Sequence, residues 1–216
     1  MTHFLYLTQV GVKTAAASEN WKMLPSEDTF QVLAVHCCLT LVNSAPLRDP
    51  EMKRAVESAM SLAQKILRDI PGAHEACVGT TGLTLSSEAK DLEYLLSDIG
   101  IPAPPVLKSE ELTMEMSFRH IVEGLELHHK LLQEIRAVLS STEELKLLLA
   151  DVTDLSAQLH EMQRLAQIPS TESQKALTLQ LNGDYQVRVA AHLSLQQLRS
   201  FTQDVFRSLR HIALSN

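Results

Sequence analysis

DYQVRVAAHLSLQQLRSFTQDVFRSLRHI, residues Asp184 to Ile212, decides the fold. Val187, Ala191, Ser194, Leu198, Phe201, Val205, Leu209 and Ile212 recur at spacings of four and three. That is the seam of a long amphipathic helix with one wet side. Asn182-Gly183 before it is a turn pair, and Asp184 offers a carboxylate to the exposed N–H groups of a first turn. A helix of this length cannot bury its stripe alone. It needs partners of similar length, and the chain must supply them.

Working backwards, Thr142-Glu143-Glu144 opens a helix whose stripe is Leu145, Leu148, Leu149, Val152, Leu155, Leu159, Met162 and Leu165, and Ile168-Pro169 ends it. Ser109-Glu110-Glu111 opens another, carried to Ser140 by Leu112, Met116, Ile121, Leu125, Leu127, Leu131, Leu132, Ile135, Val138 and Leu139. Gly124 in its middle costs roughly 1 kcal/mol against Ala, so a close helix contact is expected there. The earliest begins at Pro50 after Asp49, buries Val56, Ala59, Met60, Ala63, Ile66, Leu67 and Ile70, and stops at Pro71-Gly72. Between the first two, Ser86 opens a short helix with Leu92, Leu95, Leu96 and Ile99 on one side. Gly100 stops it, and Pro102-Ala103-Pro104-Pro105 forces an extended run.

Connection lengths set the topology. Helices of roughly 22 to 30 residues are about 30–45 Å long. A three-residue link, Ser140–Thr142, permits only an antiparallel pair of the second and third. The first and last connections can each run the length of a bundle, at about 3.3 Å per residue. The expected fold is therefore all-α, a long-chain four-helix bundle wound up-up-down-down, with a short extra helix in the first long loop. An up-down bundle with slack loops is the alternative.

With 216 residues and 45% apolar content, one domain with a sizeable core is expected. Seven Gly and few aromatics favour helix over sheet. A net charge of −7 argues against nucleic acid and anionic membrane surfaces as partners. Phe30–Val42 is apolar and uncharged, too short to span a bilayer, and Asn43-Ser44-Ala45-Pro46 follows it. The pattern reads as a signal peptide cut after Ser44, with Val42 and Ser44 as the recognised pair. Residues 1–44 are then an extension and leader, and residues 45–216 the mature domain. Against this, Glu27 and Asp28 occupy the place of a positive n-region, which leaves a buried core helix as the other reading and Met23 as a possible start. Cleavage would leave Cys77 as the one cysteine of the mature chain, either buried and inert or paired between chains.

Nothing catalytic assembles: no phosphate-binding glycine loop, nucleophile elbow or zinc spacing occurs. Glu126-Leu127-His128-His129 carries the Glu-x-x-His pattern of di-metal bundles, but no second copy accompanies it. No enzyme, cofactor or metal is expected, and His120, His128, His129, His192 and His211 read as helix-surface or boundary residues. Asp151 and Asp154 share one side of their helix, either as an ordinary solvated face or as an acidic patch for a basic partner. Asp91, Glu93 and Tyr94 on the short helix, and Tyr185 at the start of the last, raise the same choice between interface and packing.

Gly100-Ile-Pro-Ala-Pro-Pro, Gly124-Leu-Glu-Leu-His-His-Lys-Leu-Leu, Asp151-Val-Thr-Asp and the run Leu198–Ile212 together resemble the granulocyte colony-stimulating factors, long-chain helical cytokines of the interleukin-six group. The resemblance covers most of residues 45–212. It implies a secreted, extracellular growth factor acting on haematopoietic cells through a class I cytokine receptor like that of the granulocyte factor, with no membrane insertion of the mature chain. It also implies two receptor surfaces. One lies on the first and third helices, at Asp151, Asp154, Lys65 and Asp69; a family Glu aligns with Ser61, which moves that charge to Glu57. The other lies at the bundle end, at Asp91, Tyr94 and Tyr185. Departures are visible: two family acids fall at Gln163 and Arg164, and the family's loop disulfide positions read Ser87, Ser109 and Ser117, with Cys77 near the fourth. Other interleukin-six-type ligands, and a non-secreted helical scaffold, are the competing functions.

Overall fold

Pro50 takes the first helical position, where its missing N–H costs nothing, and the helix it opens runs on past the expected stop at Pro71 to Val78. A proline inside a helix costs about 3 kcal/mol. Beyond it, Ala73, His74, Cys77 and Val78 are all buried. An aliphatic side chain in such a place is worth about 1.5–3 kcal/mol, so the continued stripe outweighs the proline. We call this helix α1 (Pro50–Val78); a 3₁₀ turn, Gly79–Thr81, closes it. The computed structural model describes residues 50–85, 92–107, 113–139, 143–169 and 177–214. The leader and its cut after Ser44, the helix starts at Ser86, Ser109 and Thr142, and Asp91 lie outside them.

Among the described residues the chain is all-α, with α2 (Leu95–Ile99), α3 (Met114–Val138), α4 (Glu143–Leu165) and α5 (Asp184–Leu214) after α1. Gly100 ends α2 as expected: at φ 83° its N–H reaches Leu96 O at 3.0 Å, and a Cβ there would sit 2.5 Å from Thr178 O. Thr113 caps α3, its side chain accepting from the Met116 N–H at 3.2 Å. The α3 stripe is also shifted from the expected one. Met116 and Val138 are exposed, whereas Phe118, Val122, Gly124 and His128 are buried. Helix α4 stops at Leu165, three residues before Ile168, through a reversal in which Gln167 takes a positive φ of 57° and Ile168 N–H bonds Gln163 O. Pro169 holds Ile168 out of the helical region, so the reversal must come earlier.

All eight seam residues of α5 are buried. The one wet side expected of it is interrupted, however: every residue from Val189 to Leu195 is buried. Helices α1, α3 and α2 all pack on α5, and Arg199 ties the loop before α2 to it by donating to Leu85 O at 2.8 Å. Asp184 is the first helical residue rather than a cap, and the Gln186 side chain accepts from Asn182 N–H at 2.8 Å instead.

Helix α1 packs against α4 and α5, and α3 packs against the same two; α1 and α3 are not adjacent, nor are α4 and α5. One continuous core joins the four. The close contact expected at Gly124 is with α5: a Cβ on Gly124 would overlap Cζ, Cε1 and Cε2 of the buried Phe201 ring. Among the described residues no helix is long and apolar enough to cross a membrane.

Candidate functional site

The α1–α4 seam gathers three of the expected residues. Lys65 stands on α1 one turn before Asp69, with Nζ 3.3 Å from Asp69 Oδ2, and it also donates to Asp151 Oδ2 on α4. Arg68 Nε adds a looser contact to Asp69 at 3.6 Å. The bond to Asp151, reinforced by Asp69, raises the Lys65 ammonium above its ordinary pKa of 10.5.

Asp151 therefore differs from a freely exposed acid, whether on a solvated face or in an open patch. Its side chain is 11% exposed, and its charge is met by Lys65. The cause is its place beside the core: Leu148 and Val152, on either side of it, are buried, and α1 closes over that flank. Asp154, three residues on, is exposed, as is Glu57 on α1. Both stay outside the Lys65 cluster. The spacing of Asp151 and Asp154 thus places them on one side of α4, yet one faces a neighbouring helix and the other faces water. Between charged positions, Leu147 on α4 is 57% exposed, one turn before Asp151. Its omission from the Leu145–Leu165 stripe was the available signal, and an apolar residue among charges is the sort of contact that interfaces use.

At the bundle end, Tyr94 precedes α2 and is 69% exposed, and Tyr185 is the second residue of α5 at 62%. Their two loops are joined by a hydrogen bond from Gln180 N–H to Ile99 O at 2.8 Å, while each ring stands on its own element. Val106, at the end of the proline run, is another strongly exposed apolar residue among the described residues of this connection. Beside that run lie two pockets. One, of about 720 Å³, has Leu96, Val106, Phe201 and Arg199 among its walls; the other, of about 420 Å³, is formed by residues 102–106 against His120, Leu127 and Lys130 on α3.

The histidines depart most from expectation. His128 and His192 are buried rather than at helix surfaces or boundaries, and His74, which the sequence did not single out, is buried too. His74 Nε2 and His192 Nδ1 lie 2.9 Å apart across the α1–α5 seam. Burial, helped by the neighbouring His192, lowers His74 to about 4, and burial lowers His192 as well. His128 has no partner at either ring nitrogen, and burial alone pushes it down to about 3. His160 bonds Gln163 Oε1 at 3.2 Å. Among the described residues, no group of three His, Cys, Asp or Glu gathers at metal-binding distance. No protein-family model matches this chain, and no curated protein matches it either.

Proposed function

We propose that residues 45–216 form a secreted ligand of the granulocyte colony-stimulating type, which binds a class I cytokine receptor and draws two copies together. The proximity of their intracellular kinases then drives granulocyte-lineage proliferation, differentiation and survival. The observation that carries this reading is the pairing of α1 with α4 and α5 rather than with α3, the next long helix in the chain. Up-up-down-down winding accounts for it. Along α1, Glu51 acts on Arg164 and Lys65 bonds Asp151, so the numbering of α4 runs against that of α1. Along α5, Cys77 O meets Arg188 and His74 meets His192, again in opposite senses.

In this reading the first receptor surface centres on exposed Asp154 and Glu57, with Leu147 as an apolar contact. Lys65, Asp69 and Asp151 form a fixed charged base between the two helices. The second surface uses Tyr94 and Tyr185 with Asp91. The ligand carries no catalytic group or cofactor. Binding of the mature chain to a panel of class I receptor ectodomains is the test: capture by the granulocyte-type receptor, with two receptors per ligand, is expected. Preference for another interleukin-six-type receptor would reassign the ligand within that group. Silence across the panel would sink the reading, as would cells that retain the chain with residues 30–44 uncut, which would favour the scaffold.

A further inference from the structure

Three imidazoles lie in the seams that α5 makes with its neighbours, and none faces a counter-charge. His74 on α1 and His192 on α5 are 4% and 2% exposed, their rings 5.2 Å apart at 63°. A hydrogen bond between two imidazoles needs one N–H and one lone pair, so the facing nitrogens share one proton, and any further proton would put a charge on a buried ring. His128 on α3 is fully buried 5.2 Å from the Phe201 ring, and neither of its nitrogens has an acceptor for a second proton. The Ser194 and Thr202 hydroxyls of α5 are buried without partners as well, so the seam holds no satisfied polar network to take up a new charge.

The charged groups nearby do not change this. On α5, Arg188 lies one turn before His192; it donates to Cys77 O and stands 3.7 Å from Asp184. On α1, Glu75 next to His74 is exposed. The facing end of α4 carries Glu143, Glu144 and Lys146, all exposed, and the last turns of α3 carry Glu134, exposed, and half-buried Arg136. Around His128, Glu126 and Lys130 on α3 and Asp204 on α5 are half-buried, and Asp154 on α4 is exposed. Burial and the two rings' mutual contact, rather than any of these, set the proton affinity of His74, His192 and His128.

We propose that these buried histidines make the domain acid-labile, so that mild acidification releases α5 from α1 and α3 and opens the bundle. The inference stands apart from the receptor-ligand reading. Its sign follows from linkage. The folded state holds the rings neutral, with His74 at about 4 and His128 at about 3, against 6.5 when unfolded. Below about pH 6.5 the unfolded chain therefore binds more protons, and the stability held by neutral rings is lost as pH falls toward those values. From His128 alone, the unfolding constant should rise roughly a hundredfold between pH 7.5 and 4.5.

The test compares urea midpoints of the full chain at pH 7.5, 6.0 and 4.5 with those of His128→Leu and of the double variant His74→Leu/His192→Leu. A fall in midpoint that each variant reduces by a third or more is expected; an identical fall in all three proteins would overturn the proposal. Should the variants fail to fold, the imidazole Cε1–H resonances of the wild-type chain decide. Three of its nine histidines should stay untitrated until the protein unfolds. All nine titrating near 6.5 in the folded state would refute it.

Discussion

The two seams of α1 handle buried polarity in opposite ways. Against α4, an ammonium meets two carboxylates, and the half-exposed Lys65 keeps that site in touch with water. Against α5, two neutral rings meet each other with no charge between them. The first arrangement keeps its charges by pairing them, and the second keeps its rings by excluding protons. The Lys65 and histidine contributions are therefore lost at opposite ends of the pH scale. The raised Lys65 affinity means its share of stability is complete below about pH 10.5 and is lost as pH climbs through the folded value. The histidine share is complete near neutrality and is lost on the acid side.

The largest expected effect comes from the α5 side. Phe201→Ala removes the ring that fills the space over Gly124 and lies beside His128, and should cost about 3–5 kcal/mol of unfolding free energy by urea titration. A cost below about 1 kcal/mol would mean that the α3–α5 seam is loosely packed. Gly124→Ala overfills the same place and should cost about 1–3 kcal/mol despite the better helix propensity of alanine. On the α4 side, Asp151→Asn leaves Lys65 half-exposed and able to rehydrate, so the loss should be about 1–2 kcal/mol, between the values for surface and fully buried pairs. A loss as large as that of Phe201→Ala would erase the contrast between seams. The smallest stability effect belongs to Asp154→Arg and Glu57→Arg, within about 0.5 kcal/mol by the same titration. These two should nevertheless weaken capture by the receptor ectodomain at least tenfold; unchanged capture would remove the first surface from the proposal.

The sequence makes the helices legible because burial repeats at a fixed period. The α5 seam, the α4 stripe and the tight contact at Gly124 could all be read that way. Periodicity did not show where competing terms meet. Pro71 reads as a stop, yet four buried residues beyond it carry α1 onward. Nor does it show which neighbour covers a flank. Asp151 and Asp154 look alike in one dimension, and only the placement of α1 separates them. His192 reads as a boundary residue because an amphipathic pattern assumes one wet side, and α5 has none from Val189 to Leu195. Exposed Tyr94 and Tyr185 stood out as aromatics outside a stripe. Leu147, inside an apolar run, stood out only by its absence from the α4 stripe.

The same pairing has a consequence for how the chain is made. His74 and His192 are 118 residues apart, and Lys65 and Asp151 are 86 apart. Helix α1 leaves the ribosome ahead of α3, α4 and α5, with its apolar stripe complete, but the surfaces that cover it come later. At synthesis rates of about 5–20 residues per second, that stripe waits on the order of ten seconds for a partner. Helices α3 and α4, neighbours along the chain, can meet each other without that delay, although α3 still waits for α5. Among α1, α3, α4 and α5, the first to be made is thus the one that waits longest for a partner.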